Sequence, residues 1–261
     1  MLSLFGAKRP LTSATRAYER IFEILKSRRN AAERKDSTGP LVALANTRLL
    51  TLPEQNRTFA AEVHAPSPSP GTFALAKKEL IDAQAAVERK LRPMSRGANQ
   101  ICVVLWVKAG ALQVPLGADL EHSPYTNEGW NSIVNSTARP EGVASFFKIP
   151  HHGSANAHSP ECWATLIKNE AVTVVTPYSP SSRPRGSDIT RIMGVCSNAF
   201  ITVVPTQFAR VRRAGAVDRT LKGIKLTPTT GRMGHVQYRV DARTVGQQFH
   251  VGTRNGARKL T

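Results

Sequence analysis

The sequence predicts a mixed α/β domain in which helices are layered on a sheet. Two observations carry that prediction. From about residue 61 onward, apolar runs of strand length alternate with segments of helical periodicity. The boundaries of those segments also carry their own chemistry: Ser159-Pro160-Glu161 places a capping hydroxyl and a proline where a helix starts, and Pro150 ends an apolar run.

In chain order, Tyr18, Ile21, Phe22 and Leu25 fall at i, i+3, i+4 and i+7, one apolar stripe of a helix that Ser13 or Thr15 caps. Arg16, Arg20, Lys26, Arg28, Arg29, Arg34 and Lys35 surround the stripe. Such a helix docks on a core through its stripe, or contacts nucleic acid through its cations. Leu41 to Leu52 supplies one or two strands, and the strand beginning at Ala61 ends in a Pro/Ser-rich turn near Gly71. A helix follows from Thr72 to Leu91, its expected buried face marked by Phe73, Ala76, Leu80, Val87 and Leu91, with Pro93 closing it. Ile101–Lys108 and Ala111–Leu116 form a hairpin about Ala109-Gly110, and their nearly continuous apolarity predicts a sheet covered on both faces. A short helix at Trp130–Val134 precedes strand Val143–Ile149. The helix at Ser159 leads to strand Val172–Thr176, a helix near Ser187–Cys196 and strand Ile201–Val204. Two late strands, His235–Val240 and Gln248–Val251, complete the pattern. The implied organisation is a basic helical extension over 1–60, an α/β domain over 61–252 and a polar, basic tail over 253–261.

Composition narrows the function classes. The chain has 261 residues, long enough to bury a core without disulfides. Its 36 Lys and Arg against 18 Asp and Glu leave a net charge of +18, which favours an anionic partner, nucleic acid or a phosphorylated substrate. No apolar run approaches the roughly 18 residues that cross a bilayer. The three cysteines, Cys102, Cys162 and Cys196, are far apart and odd in number, so neither a disulfide framework nor a CxxC zinc knuckle is expected, and the reading is a reducing, cytoplasmic compartment.

Two segments carry candidate chemistry. In Leu116-Gly117-Ala118-Asp119-Leu120-Glu121 an acid follows a buried strand, which exposes it at the rim of the sheet, and Gly117 lets the backbone bend. In Lys148-Ile149-Pro150-His151-His152-Gly153-Ser154 a second buried strand runs into two adjacent imidazoles, with His158 just beyond. Imidazole nitrogen is a common zinc ligand, and adjacent histidines splay apart, so one binds and the other positions substrate or protons.

These two segments resemble the second half of the metallo-β-lactamase superfamily, nearest the hydrolase domain of DNA-uptake competence proteins. There a hairpin leads to "GD(L/I)E" and a later strand to "K(V/I)xHHGS". In this chain an alanine, Ala118, stands between the glycine and the acid. The resemblance spans about Ala61 to Val251 and implies half of an αββα sandwich. It assigns metal ligation, by zinc or manganese, to Asp119 and to His151 or His152, with Asp119 and His152 as the catalytic pair. Lys148, Ser154, Arg183 and Arg185 become the substrate-phosphate contacts. The superfamily's HxHxDH motif has no counterpart among the seven histidines. Three expectations follow: a metal-dependent phosphodiester hydrolase lacking its first metal-binding half, a non-catalytic basic module that binds nucleic acid, and a half-domain completed by a partner chain. Arg28, Arg29, Arg183, Arg185, Arg210, Arg212 and Arg213 are the candidate phosphate contacts for the second. An improvised site drawing on Glu121, His122 and His158 is a fourth arrangement.

Overall fold

The computed structural model describes residues 20–21, 23–27, 30, 41–54, 59–88, 97–178, 181–203, 234–241 and 249–261; the side chains of 83–88 are outside the description. The chain forms two compact units, one of 1–43 with 77–95 and one of 44–76 with 96–261. In the first unit, residues 20, 21, 23–27 and 30 are helical, as the periodicity predicts. Ile21 and Leu25 are nevertheless exposed, at 50% and 40%, so the expected docked stripe is not buried at these positions. Tyr18, Phe22, Arg28 and Arg29 lie outside the described residues.

The second unit is mixed α/β. Its eight-stranded sheet contains β1 (Thr47–Leu52), β2 (Ala61–Ala65), β3 (Leu105–Ala109), β4 (Leu112–Leu116), β5 (Ala144–Lys148), β6 (Ile167–Val175), β7 (Ala199–Ile201) and β10 (Arg258–Lys259), in the spatial order β1-β2-β3-β4-β5-β6-β7-β10. Strands β1 to β4 form an antiparallel meander. Strands β4 to β7 run parallel, and β10 closes antiparallel on β7. The parallel strands are joined through α2 (Gly129–Val134), α3 (Pro160–Leu166) and α4 (Gly186–Val195). Each connection steps one strand in the same direction, so right-handed crossovers place all three helices on one face. A single buried cluster joins Trp130 and Ile133 of α2, Cys162 and Leu166 of α3, Ile192 of α4, and Trp106, Phe147, Val175 and Ile201 of the sheet. At its centre the Phe147 ring meets Trp130 and Trp163 edge to face, with centroids 5.8 and 5.2 Å away.

The opposite face is treated differently. Strands β8 (His235–Arg239) and β9 (His250–Arg254) form a separate antiparallel ribbon. The Tyr238 ring of the ribbon lies 5.4 Å from Phe146 of β5 and 5.5 Å from Phe249, tilted against each. Beyond that patch, Leu105, Val107, Leu112, Val114 and Leu116 are only half-buried. The hairpin is therefore buried on the helix face and partly covered on the other, not covered on both faces as its composition suggests.

Local chemistry explains most element boundaries. The Ser159 hydroxyl accepts the Cys162 N–H and caps α3, with Pro160 in the first helical position. Three expectations need correction. The helix α1 (Pro70–Glu88) forms, but Phe73 and Leu80 of its supposed buried face are 40% and 46% exposed; Val87's side chain and Leu91 are outside the described residues. The domain begins before residue 61, because β1 pairs along β2. The segment 253–261 is not a tail: it ends β9 and supplies β10, and Ala257 and Leu260 are buried. The cysteines, by contrast, suit small packing residues and not nucleophiles: Cys162 and Cys196 are buried, and burial pushes the Cys162 thiol pKa up.

Candidate functional site

The parallel pairing of β4 with β5 dictates where the two candidate segments meet. Leu116 is in register with Lys148, so both chains leave the sheet at the same rim. Two backbone bonds stitch the loops beyond: Gly117 N–H donates to the Lys148 carbonyl (3.1 Å) and His151 N–H to the Ala118 carbonyl (2.9 Å). This approach requires glycine at 117, where a Cβ would stand 2.8 Å from the Lys148 carbonyl oxygen.

The rim holds its residues in unfavourable backbone conformations. Ala118 has φ +46°, and His151, His152 and Gly153 have φ +42°, +53° and +77°, three consecutive left-handed residues. A non-glycine residue there sacrifices roughly 1–2 kcal/mol, and such strain collects where a site must aim side chains. Ala118→Gly removes the Cβ conflict without touching any side-chain contact. Offset by glycine's greater unfolded-state freedom, the variant should melt about 1–3 °C higher, read by calorimetry.

The strained turn separates the two histidines. His152 faces Asp119, with Nε2 3.7 Å from Oδ1. Its Nδ1 is 2.7 Å from the Thr176 carbonyl oxygen, which can only accept, so Nδ1 donates there and Nε2 is the nitrogen turned to the carboxylate. The Tyr178 ring stacks on His152 at 4.8 Å and 19°. His151 turns the other way, its Nδ1 buried 3.2 Å from Glu121 Oε1 without hydrogen-bond alignment. The same carboxylate oxygen accepts from Asn99 Nδ2 (3.0 Å) and Asn156 Nδ2 (2.7 Å). Sequence reasoning left His151 and His152 as alternatives; it is His152 that joins Asp119.

The other expected residues divide. Lys148 is half-buried beside the rim; burial pushes its ammonium pKa down and the Asp119 charge opposes that. Ser154 is 4% exposed, too enclosed for the phosphate contact expected of it. Arg183 is taken up by the fold, donating to the buried carboxylate of Asp188 at 2.8 Å. Arg185 is exposed at the start of α4. Arg210, Arg212 and Arg213 lie outside the described residues.

Sequence reasoning missed what holds the histidine loop. Asp188, 1% exposed, accepts from Arg183, from Arg191 and from the Arg185 backbone N–H. Arg191 in turn donates to the Gly153 carbonyl at 2.6 Å. Burial raises the Asp188 pKa, but the Arg185 N–H and the two guanidinium groups outweigh it and hold the carboxyl below its ordinary range. The visible signal was the run of arginines around one aspartate in RPRGSDITR.

The donor set does not fit a catalytic zinc or manganese centre. Asp119 and His152 converge, but a catalytic zinc normally has three protein ligands. Among the described residues no group of three or more His, Cys, Asp or Glu is arranged to hold a metal ion. All seven histidines are described. His64 pairs with Glu62, His235 and His250 are in the ribbon, and His151 faces Glu121. Burial pushes the His158 pKa down, with Arg191 and His122 adding to it and Glu161 opposing.

Fold and rim together define a mixed α/β protein with a preorganised carboxylate–imidazole pair at the end of a parallel sheet. No protein-family model, curated protein or solved structure matches the chain. Among the described residues no helix is long and apolar enough to cross a membrane.

Proposed function

We propose that the chain is a non-catalytic, basic nucleic-acid-binding module on a scaffold resembling the second half of a metallo-β-lactamase-type hydrolase. The observation that carries the reading is the outer face of the β8–β9 ribbon. His235 lies directly opposite Arg254 and Arg239 directly opposite His250, with Gln237 opposite Gly252 between them. His235, Arg239, His250 and Arg254 are all exposed. Arg239 and Arg254 stand at opposite ends of one exposed face, with two imidazoles and no carboxylate in the two strands, a donor-rich surface that suits an anionic strand. A two-stranded ribbon is also a shape that fits a nucleic-acid groove. The remainder of the +18 charge supplies attraction at longer range.

The test is binding to a DNA duplex of about 20 base pairs and its RNA counterpart across a salt series. Affinity should fall steeply with salt, because each phosphate neutralised releases counterions. The hydrolase reading has its own test. With zinc or manganese added, the chain should hydrolyse a phosphodiester no faster than buffer, and Asp119→Ala and His152→Ala should leave that background unchanged. Turnover abolished by both substitutions would reinstate a metal-dependent hydrolase and the cofactor with it. A reducing, cytoplasmic setting accords with three free thiols.

A further inference from the structure

We propose that Tyr178 is a stacking platform for one unpaired nucleobase, which makes the rim a single-strand subsite in addition to the ribbon. The inference rests on the nucleic-acid reading above and adds the class of strand recognised. One face of the Tyr178 ring is covered by His152, nearly parallel at 4.8 Å. The residue is nonetheless 47% exposed, a large aromatic surface left open at the rim.

The ring is held before any ligand arrives. Tyr178 and Arg183 exchange both backbone hydrogen bonds, at 2.9 and 3.1 Å. Arg183 is anchored on buried Asp188, and His152 on the Thr176 carbonyl. A platform fixed on both sides loses little conformational freedom on binding, which is what favours a rigid aromatic contact. The nearest cationic residue in the fold is Arg183, which pairs with Tyr178 through the backbone, and Arg185 two positions on is exposed at the start of α4. An aromatic face with flanking cations binds a strand by stacking a base and neutralising its phosphate. A base within a duplex has both faces occupied, so the platform takes an unpaired base and leaves duplex binding to phosphate contacts alone. A tyrosine that merely covered His152 would be replaceable by leucine; one that stacks a base would not.

The experiment uses the full chain and a 15-nucleotide oligo-dT strand carrying one 2-aminopurine, beside a duplex of equal length. Tyr178→Ala and Tyr178→Leu should each weaken single-strand binding by about 5- to 150-fold, the range for losing one base–aromatic stack. Duplex binding should stay within about twofold, and Tyr178→Trp should retain single-strand affinity. The 2-aminopurine emission should be quenched by the wild-type and tryptophan proteins and not by the other two. Unchanged single-strand affinity in Tyr178→Ala, or full affinity in Tyr178→Leu, overturns the platform and leaves the ribbon reading standing. A wild-type chain that binds neither strand nor duplex at low salt overturns both.

Discussion

Replacing Arg239 and Arg254 together with alanine should lower nucleic-acid affinity without weakening the fold. Each arginine faces a histidine across the ribbon, and its two strands contain no acidic residue. If both contact phosphates, their loss removes about two neutralised charges, and the slope of log affinity against log salt should become shallower by roughly 1.8. The effect on stability should be small, because both side chains are exposed and the two strands carry no carboxylate for them to pair with. The melting temperature should hold while binding falls. His151→Ala and His152→Ala, away from the ribbon, should leave the slope unchanged. A salt slope unaltered by the double substitution would assign the ribbon's charge to solvation and move the phosphate contacts elsewhere on the chain.

Asp188→Asn should be the most destabilising polar substitution at the rim. The carboxylate is fully buried and holds Arg183, Arg191 and the backbone N–H of Arg185, which caps α4. Removing one member of a buried ion network typically destabilises by about 3–5 kcal/mol. Both arginines retain some contact with water, their side chains being 22% and 24% exposed, which places the expected loss near the lower end of that range. A loss of about 3 kcal/mol corresponds to roughly 6–12 °C in melting temperature for a chain of this size. The difference should depend on pH. The folded carboxyl titrates below its unfolded counterpart, so its contribution is complete above the ordinary carboxylate pKa and disappears as pH falls through the depressed one. Wild type and variant should therefore converge in acid, a comparison that chemical denaturation at pH 7 and below pH 4 resolves. Because Arg191 also holds the Gly153 carbonyl, the variant should broaden the NMR signals of His151 and His152 at neutral pH.

The parts of this structure legible in the sequence are those governed by near neighbours. Ser159-Pro160 specifies a helix start through its own hydroxyl and ring, and that start is observed. Pro150 ends β5 because it has no N–H to continue the ladder. The meeting of Asp119 with a histidine was also legible, since two acid- or imidazole-bearing turns that follow neighbouring parallel strands must share a rim. Which histidine it would be was not. That choice depends on three consecutive left-handed residues and on the Thr176 carbonyl, 24 positions away. Helix α1 shows the complementary failure: a 3.6-residue period identifies an apolar stripe but not whether anything covers it, and Phe73 and Leu80 are exposed. Strand β10 was missed because two cationic residues have no apolar pattern; it forms by closing on β7, far away in sequence. The arginine–histidine pairs of the ribbon became visible only with the register that sets Arg239 opposite His250.

The left-handed run at His151-His152-Gly153 bears on how the protein would respond to selection. Glycine or asparagine at either histidine position would relax the backbone, so a library screened for heat resistance alone would be drawn to these codons early. Survivors would keep the sheet, the aromatic core and the Asp188 network while losing the imidazole that faces Asp119. Sequencing such survivors would read out a map of the rim, because the positions that change first under heat are those whose present side chains are retained for something other than durability.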